Sequence, residues 1–315
     1  MSLNDRRGAV GPPVTMERPL SAVRLFGGGV SGHEARTGLL LVMPAVIFFA
    51  AFMLYPFLSA FWYSLTSWDL VGPPRFVGLR NYVRLFQDED FWNAARVTAY
   101  YTFGLLVPML PLSLLLAMLL DRRLRGRAFY QGMLFAPAVL AAVVVSMIWR
   151  VVYMPQGGLY LLFTAPFGLT NIPWLNDVHW AMPALIIVGI WKNVGYYMVI
   201  FLGGLQGISS TFYEAARVDG ASTWQQFRRI TLPLLRPIML FVAVVSMTKA
   251  FQGFTAAYTL TGGGPADATK VLPLLIYENA FSFNKMGYAS AIAVIMFVVL
   301  LALTLIQFRT LKSEG

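Results

Sequence analysis

Cysteine is absent from the 315 residues, so neither disulfides nor thiolate metal sites can form, and thiols say nothing of the redox compartment. Charge is scarce too. Only 12% of the residues are charged, about half of what a soluble domain usually carries. What fills the space is apolar: 58% of the residues are hydrophobic, and the mean hydropathy is +0.65. The apolar residues fall in blocks too long for a water-soluble core, which excludes that class. The net charge of +10 invites a nucleic-acid reading. However, the basic residues are mostly arginines grouped in short loops between apolar blocks, the distribution of a membrane topology and not of a phosphate-binding face.

A hydrocarbon core of about 30 Å needs about 20 apolar residues as helix. Six segments qualify: residues 38–65, 97–120, 130–153, 181–206, 237–258 and 287–308. They are continuous and do not alternate apolar with polar, so helices are favoured over barrel strands. The fold class read from the chain is an all-α integral membrane protein with six transmembrane helices. No Asp or Glu occurs inside these predicted spans.

Loop charges give the orientation. Arg6, Arg7, Arg18, Arg24 and Arg36 precede span one, Arg122, Arg123, Arg125 and Arg127 join spans two and three, and Arg217, Arg228, Arg229 and Arg236 join spans four and five. With Arg309 and Lys312, one side carries fifteen basic residues. The other side has six: Arg75, Arg80, Arg84, Arg96, Lys270 and Lys285. Both termini are therefore expected in the cytoplasm. Residues 1–36 are polar and Arg-bearing, without an apolar h-region and cleavage site, and read as a flexible cytoplasmic tail. Residues 311–315 read as a short C-terminal tail. His33 and His179 fall on opposite sides, which excludes a histidine dyad or metal site within one chain.

The external stretch 67–96 mixes Asp69 and the run Asp88-Glu89-Asp90 with many aromatics, and 154–180 holds Trp174 and Trp180. Aromatics beside a span belong first to the interfacial belt, and second to a surface for an extracytoplasmic partner. The acidic run reads as solvated before it reads as a cation site.

One polar insertion, residues 207–236, interrupts the apolar pattern on the Arg-rich side. Thr211 fits a helix N-cap with Glu214 reaching back from the third position. Gly220 stands where a helix end wants a left-handed residue. Ser222-Thr223-Trp224-Gln225 repeats the capping pattern and starts a second helix. Trp224, Phe227 and Ile230 are expected to bury one face of it, and Leu232-Pro233 to end it. The plain alternative is an amphipathic connector lying on headgroups.

Glu214-Ala215-Ala216-x-x-Asp219-Gly220-Ala221, with Phe227, Ile230, Leu232-Pro233 and Pro237, resembles the EAA loop of binding-protein-dependent ABC importer permeases. Tyr55-Pro56, Phe76-Val77-Gly78-Leu79-x-Asn81-Tyr82, Trp174-Leu175, Thr261-Gly262-Gly263-Gly264-Pro265 and Tyr288-Ala289-Ser290-Ala291 extend the likeness toward carbohydrate permeases. Ser209 departs from the proline common in that family, and serine can also begin a helix. The resemblance covers about residues 38–310 and implies a permease domain at 37–310. It implies a coupling element of Glu214, Ala215, Ala216, Arg217, Asp219, Gly220 and Ala221 docked in a cytoplasmic ABC ATPase dimer. Glu214 has two readings, its own helix cap or a contact with the ATPase. The resemblance further implies a second, related permease in a heterodimer, an extracytoplasmic solute-binding protein, and residence in a prokaryotic inner or plasma membrane.

Polar groups inside spans are costly and mark functional candidates. Span four offers Trp191, Lys192, Asn193, Tyr196 and Tyr197, and span five Ser246, Lys249 and Gln252, with Thr248 and Thr255 beside them. Hydroxyls, amides and aromatic faces together suit a sugar. Maltose-type permeases place substrate contacts at positions matching Gly189, Lys192, Asn193, Tyr196, Ser246, Lys249 and Gly253. Helix–helix bonding is the competing role for each side chain. Lys192 and Lys249 could favour an anionic solute such as glycerol phosphate.

No nucleophile–base arrangement stands out, and Gly27-x-x-x-x-Gly32 lacks the Lys-Ser/Thr of a phosphate loop. The expectation is therefore a non-enzymatic permease without metal or cofactor of its own, with ATP and Mg on the partner ATPase. It would import a di- or oligosaccharide by alternating access. An ion-coupled secondary transporter is the rival, and it would need intramembrane carboxylates.

Overall fold

The computed structural model describes residues 32–122, 125–155, 157–164, 166 and 172–312. The chain divides into two units, residues 1–55 and 56–315. In the first, α1 (Gly32–Phe49) leads into a π-helical turn, Ala50–Leu54. Helix α1 thus takes in residues 32–36 of the stretch expected to be tail, while 1–31 lie outside the described residues. Leu39, Leu40, Leu41, Ile47 and Phe48 are all exposed.

The second unit opens within α2 (Tyr55–Ser64) and continues into a small antiparallel pair, β1 (Thr66–Ser67) with β2 (Arg75–Phe76), in which Thr66 faces Phe76. Helix α3 (Arg80–Gln87) is followed by α4 (Glu89–Asp121). The acidic run is the start of α4: Asp88 caps it, accepting from the Asp90 amide at 3.0 Å, and Glu89 and Asp90 sit in the first turn, where the helix dipole favours negative charge. Asp88 also accepts from the Tyr288 hydroxyl.

Helices α5 (Arg127–Val139), α6 (Ala142–Val152), α7 (Leu161–Thr164) and α8 (Val178–Gln206) follow. After them come α9 (Ser210–Val218), α10 (Thr223–Gln226), α11 (Leu232–Phe251), α12 (Phe254–Ala256), α13 (Leu272–Tyr277) and α14 (Met286–Lys312). Helix α8 is the core element. Its Met182, Leu185, Met198 and Phe201 are buried together with Met109 of α4 and Val242 of α11. Small contacts let it sit deep. A Cβ built on Gly195 would stand 1.9 Å from the Leu134 carbonyl oxygen of α5, and Ser113 of α4 donates to the Val194 carbonyl at 3.1 Å.

Among the described residues, five segments are long and apolar enough to cross a membrane: Gly38–Ser64, Glu89–Asp121, Val178–Gln206, Thr223–Thr261 and Met286–Arg309. The third expected span is not one helix. Helices α5 and α6 meet at a bend of 100°, and only if the pair counts as one span does the number reach six.

The fifth runs far beyond the expected 237–258, because Pro233 does not end the preceding helix. A π-helical turn, Phe227–Thr231, joins α10 to α11, with the Leu232 amide bonded to the Phe227 carbonyl. Such a turn widens the ladder just where proline can neither donate nor tolerate the carbonyl four residues back. This long segment breaks once, at Gln252–Gly253, between α11 and α12.

Candidate functional site

At the middle of α8, Lys192, Asn193 and Gly189 face Lys249, Gln252, Gly253 and Thr255 around a cavity of about 160 Å³, closed by Tyr101 of α4 and Ser146 of α6. Four of the eight pathway residues expected from sequence thus converge: Lys192, Asn193, Lys249 and Gln252. The other four do not line it. Trp191 packs edge-on to Trp149 at 5.5 Å, Tyr197 is buried against Tyr196, and Ser246 is buried and donates to the Ala243 carbonyl at 3.1 Å. Tyr196 instead carries the Lys249 ammonium 4.1 Å above its ring. Asn193 donates to the Gly189 carbonyl at 2.8 Å and does not reach Tyr197.

Tyr101 escaped the sequence reading, although two glycines point to it. A Cβ on Gly253 would come within 2.6 Å of its ring, and one on Gly189 within 3.2 Å of its hydroxyl. These glycines make room for Tyr101.

Lys192 has a job inside the chain. Its ammonium donates to the carbonyls of Leu140 at 2.6 Å and of Pro137 and Ala138 at 3.4 Å, the orphan acceptors at the end of α5. A cation there also opposes the negative end of the helix dipole. Lys192 therefore holds the bend between α5 and α6. We expect Lys192→Met to lower stability by about 1.5–3 kcal/mol, the usual range for hydrogen bonds to a charged group, and Lys192→Arg to recover most of it. Heat denaturation in detergent, followed by gel filtration, reads this out.

The polar insertion forms a second cluster. Ser209, not Thr211, caps α9, accepting from the Thr211 amide at 3.4 Å. With the cap two residues earlier, Glu214 is too far along the helix to close a capping box, and among the described residues it has no hydrogen-bond or ion-pair partner. The departure of Ser209 from proline leaves the helix start intact. Gly220, at φ +76°, closes α9: the Ala221 amide reaches the Ala216 carbonyl at 2.8 Å and the Gly220 amide the Arg217 carbonyl at 3.1 Å, a Schellman end. Ser222 and Gln225 complete a reciprocal capping box at the start of α10, as expected.

Tyr213 and Thr231 hydroxyls meet at 3.0 Å and tie α9 to the long helix. Trp224 does not bury the expected face. It is 66% exposed and leans only on Phe227 at 5.5 Å. Ala216 and Ala221 are half-buried, whereas Glu214, Ala215, Arg217, Asp219 and Gly220 are exposed. A cavity of about 600 Å³ separates the insertion from the end of α4, bringing Arg122 and Arg217 to the same end of the unit.

The opposite end holds a third cluster, a polar cavity of about 410 Å³ lined by Arg84, Asp88, Asp90, Lys270, Glu278 and Lys285. Burial works against the Lys270 charge, but Asp267 at 2.7 Å and Glu278 at 3.3 Å outweigh it and raise its pKa above the usual lysine value. Arg150, in the last turn of α6, lines a separate cavity of about 270 Å³.

A multi-span helical chain with polar side chains gathered at mid-span and a capped, exposed insertion is built as a membrane permease. The family is explicit: residues 92–312 match the binding-protein-dependent transport system inner membrane component, and the chain belongs to that family. It is 35% identical over 279 residues to the probable ABC transporter permease protein YurN of Bacillus subtilis, covering 87% of this chain and 95% of that one. It is 32% identical to the trehalose/maltose transport system permease protein MalF of Thermococcus litoralis, over 88% of this chain and 94% of that one. A bacterial ABC transporter that imports the acidic polysaccharide alginate superposes with a TM-score of 0.78 at 25% identity, covering 89% of this chain and 97% of that one. Permease components of this kind are non-catalytic.

Proposed function

We propose that this chain is one permease half of an ATP-driven importer for a carbohydrate. The observation that carries it is the convergence of Lys192, Asn193, Lys249 and Gln252 on one cavity between spans that otherwise offer lipid-compatible side chains. Exposed polar groups at mid-span need a pathway or a partner, since lipid cannot satisfy them. Amide, hydroxyl and aromatic groups around one cavity suit a sugar ring. A relative whose name specifies trehalose and maltose, and a structural neighbour involved in the import of alginate, support that solute class.

The loop charges support cytoplasmic termini and a cytoplasmic insertion. Glu214, Ala215, Arg217, Asp219 and Gly220 then face an ATPase subunit, which holds ATP and Mg, and Ala216 and Ala221 back them. Phe212 and Val218, 53% and 88% exposed, give that contact its apolar area. Burying what each leaves exposed contributes up to about 1.5–3 kcal/mol, less for the half-covered Phe212. The polar cavity around Arg84 and Lys270 lies on the side where a solute-binding protein delivers its load. A second, related permease completes the pathway, and ATP-driven closure of the ATPase pair switches its opening from one side to the other.

The test is reconstitution of this chain with its partner permease, ATPase and binding protein in liposomes. Carbohydrate uptake should require ATP and the binding protein together. Uptake driven by an ion gradient with no ATPase present would overturn the proposal.

A further inference from the structure

Resting on the importer reading above, we propose that the pathway selects carbohydrates bearing an acidic group, carboxylate or phosphate, and that Lys249 is the residue that recognises it. Lys192 and Lys249 line the same cavity. Their situations differ. Lys192 spends its donors on three backbone carbonyls of the bent span. Lys249 makes no hydrogen bond and no ion pair among the described residues; its ammonium rests on the Tyr196 ring, and the residue as a whole is exposed. An ammonium carries three donors, and a ring face satisfies charge without using them in the manner of an oxygen acceptor.

Among the described residues, nothing acidic pairs with either cation. No Asp or Glu occurs in residues 91–120, 127–152, 178–206, 223–261 or 286–309. Buried or mid-membrane cations are normally paired with carboxylates or with the molecule they serve. Here the missing counter-charge is assigned to the solute. Asn193, Gln252 and Thr255 on the same cavity wall supply amide and hydroxyl groups for neighbouring sugar hydroxyls. The Tyr196 ring holds the Lys249 ammonium in place between loads, so the charge is positioned before the solute arrives.

The complete importer in liposomes is offered two acidic solutes, trigalacturonate and glycerol 3-phosphate, and two neutral ones, maltotriose and glycerol. ATP-driven uptake should favour an acidic solute. Lys249→Gln should lower that uptake at least about tenfold, as expected for loss of one charged hydrogen bond, while Lys249→Arg keeps most of it. Raising the ionic strength should weaken acidic uptake in the unaltered protein, a readout that stands even if Lys249→Gln fails to assemble. Uptake confined to neutral solutes, or acidic uptake within twofold of normal in Lys249→Gln, overturns the assignment and leaves the importer reading standing. Absence of ATP-driven uptake of all four solutes by the unaltered protein overturns both.

Discussion

Gly195→Ala is expected to cost the folded protein about 3 kcal/mol or more, the upper end of what overpacking a close contact does. The added methyl would lie 1.9 Å from the Leu134 carbonyl oxygen, 2.5 Å from its carbon and 2.9 Å from the Phe135 nitrogen. All three are backbone atoms, so no rotamer change relieves the clash and α5 must move away from α8. Helix α8 cannot retreat on its other side. Ser113 of α4 is bonded there to the Val194 carbonyl, and Met198 and Tyr197 are fully buried in the core. The shift would also pull the α5 carbonyls from Lys192, three residues earlier on the same helix, and loosen the bend that forms one wall of the mid-span cavity. Gly203→Ala on the same helix is the control. Its Cβ would meet nothing within 4 Å, so the change should be neutral or slightly stabilising through reduced chain entropy. Thermal unfolding of both variants in detergent separates them. Equal midpoints would show that the α5–α8 crossing yields more easily than a backbone contact should.

That crossing also marks where sequence reading succeeds and where it stops. Apolar length alone located five of the spans, because bilayer thickness imposes a length that no soluble element needs. Caps and a left-handed glycine were legible in the insertion, because each is a local rule: Gly220 and the Ser222–Gln225 box stand where the pattern puts them. The bend between α5 and α6 was not legible. Leu140 and Ala141 are as apolar as their neighbours, and the group that holds the bend, Lys192, lies some fifty residues further on. For the same reason the sequence marks Lys192 as a pathway candidate without showing its bonds to α5: a lysine inside a span announces a need for acceptors, not which acceptors meet it. Tyr101 was hidden by its own surroundings, one aromatic among many, until Gly189 and Gly253 were seen to open space for it. Pro233 misled because the rule that proline stops a helix assumes a regular ladder, and the π-turn before it removes that premise.

Gly220→Val should leave the protein in the membrane at normal abundance while lowering ATP-driven uptake about 5- to 30-fold. The two effects part because of where Gly220 sits. A Cβ there meets no atom within 4 Å, so nothing in the spans is pushed. The cost is backbone strain: at φ +76° an L-residue loses about 1–2 kcal/mol, and a β-branched side chain fits worst of all. That strain falls on the two bonds that close α9, from the Ala221 amide to Ala216 and from the Gly220 amide to Arg217. Opening them detaches α9 from α10 and lets the exposed face of Glu214 and Ala215 swing free of the Tyr213–Thr231 tie. A bias of 1–2 kcal/mol between the closed elbow and an opened one changes their ratio by about 5- to 30-fold, and uptake falls by as much where the opened elbow comes to dominate. On the proposed coupling role, force passes between an ATPase and the spans only through an elbow that keeps its shape, so uptake should fall while insertion and core packing persist. Gly220→Asn is the matched case, since asparagine adopts the left-handed region far more readily than valine, and it should retain most of the uptake. Immunoblots of membranes report abundance, and uptake into energised vesicles reports transport. Uptake within twofold of normal in Gly220→Val would mean that the insertion transmits no force through this elbow, and the coupling role assigned to Glu214–Ala221 would have to be given up.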